Sequence, residues 1–138
     1  GYTPVTSDRY YSGGYLGTLR IPAIGLSVRV YEDTDSSTLM KGAGHFEGTS
    51  IWNGNVSIAG HNRGVRDDFG DLHTLERGDT ITWTTKLGVR TYEVTSVQKV
   101  KETDTSGTAP STENMLTLYT CVRNQRAYRW HVRAVEIV

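Results

Sequence analysis

Seven short runs rich in β-branched and aromatic residues punctuate this chain: LGTLRIPAIG, VRVYED, NVSIAGH, DTITWTT, RTYEVTSVQKV, MLTLYTC and RWHVRAVEIV. Between them fall clusters of Gly, Asp, Asn and Ser, which favour turns because they tolerate left-handed backbone or bond to their own main chain. Many short strands at regular spacing must cover their edges, and the arrangement that suits them is a closed or nearly closed all-β barrel. Helical pattern is scarce. DSSTLMKGAG can form one capped turn, with Asp35, Ser36 or Ser37 at the cap, and FGDLHTLERGD can form a second short one.

With 138 residues the chain is expected to build one domain around one core. Residues 1–15, GYTPVTSDRYYSGGY, are polar and Gly-rich and read as a tail or strap over the barrel, leaving 16–138 as the folded domain. Residues 101–114, KETDTSGTAPSTEN, interrupt two strands without a large apolar side chain. Loops of that length tend to be functional or disordered. Fifteen Lys and Arg balance fifteen Asp and Glu, so nucleic-acid binding by bulk electrostatics is not expected. No apolar run approaches the roughly 20 residues that span a bilayer. One cysteine, Cys121, excludes an internal disulfide.

That cysteine ends the strand MLTLYTC. Alternation sets Leu116, Leu118 and Thr120 on one face and Thr117, Tyr119 and Cys121 on the other, so Cys121 points away from the leucines at a strand's end. An isolated cysteine serves either as a small buried apolar residue or as a nucleophile. A nucleophilic thiol needs a cation or an imidazole nearby. Arg129 opens the next β-like run, and so short a connection favours antiparallel neighbours, which would lay Arg129 beside Cys121. Arg123, Arg126 and Arg133 read as solvated charge. Four histidines are available as the base: His45 in a Gly-rich loop, His61 at the end of NVSIAGH, His73 in the second helical turn and His131 between Arg129 and Arg133. His61 alone occupies a strand end like those of Cys121 and Arg129, while His131 suits the barrel's outer face.

At these residues the sequence resembles the sortases, cysteine transpeptidases of Gram-positive cell surfaces. SIAGH (57–61) looks like the family's histidine motif, TLYTC (117–121) like its TLxTC motif and RWHVRAVE (129–136) like its arginine strand, in the family's order. LRIPAIGLSVRV resembles the first strands, and the likeness covers roughly residues 16–138. It implies a closed eight-stranded sortase-type β-barrel with a few short helices, whose groove takes an LPxTG-like sorting signal. It makes Cys121 the nucleophile, His61 the general acid or base, and Arg129 the donor to substrate carbonyls and the oxyanion. Thr120 either shapes the oxyanion site or is an ordinary strand threonine, and 101–114 corresponds to a loop that helps to select the signal. The implied activity cleaves between Thr and Gly through a thioacyl-enzyme and passes the protein to an amine of peptidoglycan or of a lipid-linked precursor, with hydrolysis as the side reaction.

Among subclasses, GAGHFEGT and AGHNRGVRDDFGDLHTLERGD look most like class D, with classes E and A next. The Asp-Pro-aromatic lid motif usual in class C pilin polymerases does not occur in residues 1–16. Glu102 and Asp104 are acidic loop residues of the kind with which class A enzymes often bind calcium, but no metal and no cofactor is assigned. The resemblance also implies action at the outer face of the cell membrane, with an apolar anchor helix expected upstream of these residues. Two other functions compete: an L,D-transpeptidase, whose signature has His-Gly directly before Cys where this chain has Tyr119-Thr120, and a non-catalytic β-barrel binding module.

Overall fold

The computed structural model describes residues 1–62 and 66–138; positions 63–65 of the AGHNRGVRDDFGDLHTLERGD stretch lie outside them. Eight strands are present: β1 (Gly17–Ile21), β2 (Leu26–Glu32), β3 (Ala43–His45), β4 (Asn55–Ala59), β5 (Thr80–Thr85), β6 (Gly88–Lys101), β7 (Met115–Val122) and β8 (Gln125–Glu136). They close into one barrel in the order β1-β2-β3-β4-β7-β8-β6-β5, with β5 paired back onto β1. Two neighbouring pairs, β2–β3 and β4–β7, are parallel; the others are antiparallel.

Each strand sends a fully buried side chain into the common core: Leu19, Val30, Ala43, Ile58, Trp83, Tyr92, Leu118 and Val132. Phe69, Leu72 and Leu75 from the segment after β4 join them. The first helical turn is α1 (Ser36–Leu39), with Asp35 as its cap accepting from the Thr38 amide at 2.8 Å. The second is a single 3-10 turn, Leu72–Thr74. No helix among the described residues is long and apolar enough to cross a membrane. In the first fifteen residues, Thr3 is buried, donating its amide to Ser50 Oγ and accepting from the Asn53 amide, and Tyr11 stacks on Tyr15.

Two strands differ from the sequence expectation. β3 lies within what reads as a Gly-rich loop; it is three residues long, and Gly44 is required there because a Cβ would stand 2.2 Å from the Asp33 carbonyl oxygen. β8 begins at Gln125, four residues before Arg129, because pairing with β6 and β7 carries the ladder through polar residues. Arg126 therefore lies on a strand, and the turn reduces to Arg123-Asn124, with Asn124 at φ 64°. Asparagine tolerates that left-handed conformation, which a two-residue hairpin demands.

The outward face of β7 is covered at Thr117 and Tyr119 and open only at its end, at Cys121. Thr117 is fully buried and Tyr119 nearly so, because the 101–114 loop is packed over them. Its anchor is the Gly107 carbonyl, which accepts from Asn55 Nδ2 at 2.6 Å, Ser57 Oγ at 3.4 Å and Arg133 Nη2 at 3.2 Å. The Thr117 hydroxyl donates to Asn55 Oδ1 at 2.8 Å and accepts from Arg133. Arg133 is thus a structural donor beneath the loop, in place of the solvated charge that its strand position suggests. His131 lies in the same layer, its ring edge-on to Tyr119 and its Nδ1 buried without a hydrogen-bond partner. Burial, then repulsion from Arg133, lowers its pKa, with Asp104 opposing.

Gly107→Ala would place a Cβ 2.1 Å from Tyr119 Oη and 2.6 Å from His131 Nε2. It is expected to cost about 1–3 kcal/mol of stability by overpacking, measured by urea unfolding, and to expose residues 101–114 to limited proteolysis. Because His131 is held neutral in the folded chain, the unfolded chain binds a proton first as pH falls through the ordinary histidine range near 6.5, and stability is lost in that window. His131→Gln should flatten the fall in unfolding free energy between about pH 7 and pH 5; an unchanged slope would contradict the assignment.

Candidate active site

The parallel pairing of β4 with β7, in register from Asn55↔Met115 to Ala59↔Tyr119, makes both strands leave the sheet at the same edge. His61 follows two residues after β4, and Cys121 stands near the end of β7. The β7–β8 hairpin then sets Arg129 directly opposite Cys121. His61, Thr120, Cys121 and Arg129 all line one cavity of about 290 Å³. Tyr119 and Phe46 contribute to its wall, and Glu102, Asp104, Thr105 and Thr108 of the β6–β7 loop complete another side.

Gly60, between the last residue of β4 and His61, is dictated by packing: a Cβ there would meet the Phe69 ring at 2.8 Å. The Phe69 amide in turn donates to the His61 carbonyl at 2.8 Å. Cys121 is exposed, which removes the buried-apolar alternative for this thiol. Thr120 is buried, and its hydroxyl donates to the Gly60 carbonyl at 2.8 Å. Arg129 Nη1 donates to the carbonyls of Arg126 and Tyr128 at 2.9 and 2.8 Å, and Nη2 faces Glu102 at 3.4 Å. These contacts hold the guanidinium in the wall of the cavity that Cys121 also lines. Burial raises the pKa of the Tyr119 phenol, which stays a neutral part of the wall. The Asp104 carboxyl is held below its ordinary range by hydrogen bonds from Ser106.

The other histidines have separate roles. His45 is fully buried, with its two ring nitrogens against the Glu32 carboxylate and the Ser50 carbonyl. His73 is exposed and stacks on Trp130, and His131 belongs to the layer under the loop. Two contacts were not foreseen from the sequence, which offered Glu102 only as an acidic loop residue and did not single out Asn62. Glu102 faces Arg129 across the cavity, and Asn62 donates its side-chain amide to the Cys121 carbonyl. Arg123, which reads as solvated charge, reaches the Asn62 carbonyl through Nε at 3.2 Å and Nη2 at 2.7 Å. Spacing carries no signal for these contacts, since each joins segments far apart in sequence. Among the described residues, no group of three or more His, Cys, Asp or Glu is placed to hold a metal ion.

The arrangement suits acyl transfer: an accessible thiol, an imidazole and a planar cation share one partly enclosed space. The sortase domain family matches residues 19–137. Sortase D of Bacillus subtilis is 33% identical over 97 residues, covering 69% of this chain and 48% of that protein. Sortase A of Listeria monocytogenes is 27% identical over 116 residues, covering 81% of this chain and 51% of that protein. The chain therefore spans about half the length of these curated relatives. Among solved structures, sortase C-1 of Streptococcus pneumoniae superposes with a TM-score of 0.84 at 29% identity, covering 91% of this chain and 68% of that one. Another Streptococcus pneumoniae sortase C structure gives 0.88 at 25% identity, covering 99% and 74%. A closed eight-stranded barrel, a shared rim and a family match over nearly the whole chain lead to one conclusion: this chain belongs to the sortase family.

Proposed function

We propose that residues 16–138 form the catalytic domain of a cysteine transpeptidase, with residues 1–15 as its strap, and that the domain cleaves an LPxTG-like sorting signal between Thr and Gly. The observation that carries this reading is the single cavity shared by His61, Cys121 and Arg129. Cys121 Sγ, as thiolate, attacks the Thr carbonyl carbon and forms a tetrahedral oxyanion. The Arg129 guanidinium, a planar donor held by main-chain carbonyls and Glu102 and paired in register with Cys121, donates to that oxygen. Collapse breaks the C–N bond to Gly as His61, protonated, delivers a proton to the leaving amine. An acceptor amine then attacks the thioester, gives a proton back to His61 and releases the thiolate. The new amide joins the surface protein to an amine of peptidoglycan or of a lipid-linked precursor. Thr120 lines the site as a substrate-binding residue, although its hydroxyl is committed to Gly60. No metal or cofactor enters this scheme.

Within the family we assign the chain to class D, supported by the GAGHFEGT stretch and the likeness to Sortase D. The similar sortase C structures favour a second reading, polymerisation of pilins, in which the acceptor is a protein lysine. Either activity belongs at the outer face of the cell membrane, reached through an anchor helix outside these residues.

Cys121→Ala should abolish cleavage of a sorting peptide while leaving the fold intact, and His61→Ala should lower kcat by about 10²-fold or more. Arg129→Lys should lose a similar factor because an ammonium cannot reproduce the planar fork, on the order of 10²-fold. Arg126→Ala should be mild. Retention of more than a few per cent of wild-type cleavage by the first two variants would remove that residue from the mechanism.

The acyl-enzyme supplies a second test. After mixing with an LPxTG-like peptide, mass spectrometry should detect an adduct on the fragment containing Cys121. A suitable amine should then redirect product from free acid to amide. Diaminopimelate-bearing stems, Gly- or Ala-terminated acceptors and lysine-bearing pilin peptides separate wall anchoring from pilin polymerisation. Free acid alone with every amine would make the protein a hydrolase, and neither adduct nor cleavage with any signal would favour a binding module.

A further inference from the structure

The ladder between β4 and β7 stops at Ala59 and Tyr119, short of the two side chains that the proposed chemistry needs. A second set of bonds continues past its end. The Gly60 amide donates to the Tyr119 carbonyl at 3.2 Å, and the Thr120 hydroxyl donates back to the Gly60 carbonyl at 2.8 Å. The Asn62 side-chain amide then donates to the carbonyl of Cys121 itself. Arg123 closes the series with its two bonds to the Asn62 carbonyl. Donors come alternately from the two segments, so the stitching grips the chain on both sides of His61.

Asn62 is suited to this place by chemistry and by burial. The residue is 7% exposed, and its amide nitrogen can face a carbonyl oxygen as donor where a carboxylate of the same shape cannot. An aspartate of the same shape would set oxygen against oxygen. The bond ends on the main chain of the residue that carries the thiol, one position beyond the residue that carries the imidazole.

We infer that Asn62, backed by Arg123, is a positioning residue for the transfer reaction: it sets the separation of the His61 imidazole from the Cys121 thiol by tying together the backbones that bear them. The inference rests on the proposed roles of those two residues. Neither Asn62 nor Arg123 touches the reacting atoms. Their effect falls on proton transfer and on the state of the thiol, which depend steeply on distance, while the fold rests on the core and the ladders below.

The test uses the 138-residue chain and two readouts, steady-state cleavage of an LPxTG-like peptide and the rate of Cys121 alkylation by iodoacetamide across pH. Asn62→Asp is expected to lower kcat roughly tenfold or more with KM within about twofold. Its alkylation curve should shift toward that of His61→Ala, and its melting temperature should stay close to wild type. Arg123→Ala removes an exposed side chain without opening a core void. It should shift both readouts in the same direction by several-fold, and it decides the matter if the Asn62 variant does not fold. If both variants keep the wild-type kcat and alkylation curve while Cys121→Ala and His61→Ala are inactive, the positioning role is overturned and the reaction stands. A lower activity with an unshifted alkylation curve, or a raised KM alone, also overturns it. Wild-type cleavage by Cys121→Ala overturns the reaction itself, and the role of Asn62 with it.

Discussion

Parallel pairing of β4 with β7 is the constraint from which the site follows. Antiparallel neighbours would send the chain ends after Ala59 and Tyr119 to opposite rims, whereas parallel strands deliver both to one. The third group arrives by a different device. A two-residue turn at Arg123-Asn124 folds β8 back, and a shift of register between Val122 and Cys121 then lays Arg129 across from Cys121. Main-chain pairing thereby brings three widely separated segments to one rim, and the side-chain bonds of Thr120 and Asn62 carry the placement past its end.

The loop over β7 adds an outer layer to that frame. Asn55, Ser57 and Thr117 would be unremarkable surface residues on a bare barrel, yet all three are buried. Their hydrogen-bonding groups are met by one another, by Arg133 and by the Gly107 carbonyl. A buried polar layer of this kind is stable only when its members are satisfied together. His131 Nδ1, the ring nitrogen left without a partner, is the place where proton uptake would disturb it. The same loop supplies Glu102, Asp104, Thr105 and Thr108 to the cavity wall, so one anchor supports both the layer beneath and the surface that a peptide would meet.

Seven of the strands were legible because each is a run of β-formers bounded by turn residues, and alternation in MLTLYTC correctly separates the core leucines from the outward Cys121. β3 was not legible. Its strand character comes from pairing with β2 and β4, which three residues centred on a glycine do not advertise. Alternation also gave no warning that Thr117 and Tyr119 would be covered, since a loop fourteen residues long can lie anywhere on a surface. The positions of Cys121 near a strand end and of His61 just past one were readable, Arg129 lies inside β8 where a strand start was expected, and the resemblance to sortases singled out all three. Asn62, the pairing of Glu102 with Arg129 and the structural use of Arg123 and Arg133 were not readable, because each depends on a partner that only the closed barrel brings near.

The β4–β7 register joins residues sixty positions apart, Asn55 with Met115. Closing so long a loop is entropically unfavourable until the intervening strands have paired. An unfolded or half-assembled chain therefore contains a cysteine and a histidine with no fixed geometric relation. The geometry on which the proposed chemistry rests is therefore a property of the completed barrel, and a chain still folding holds the same two side chains without it.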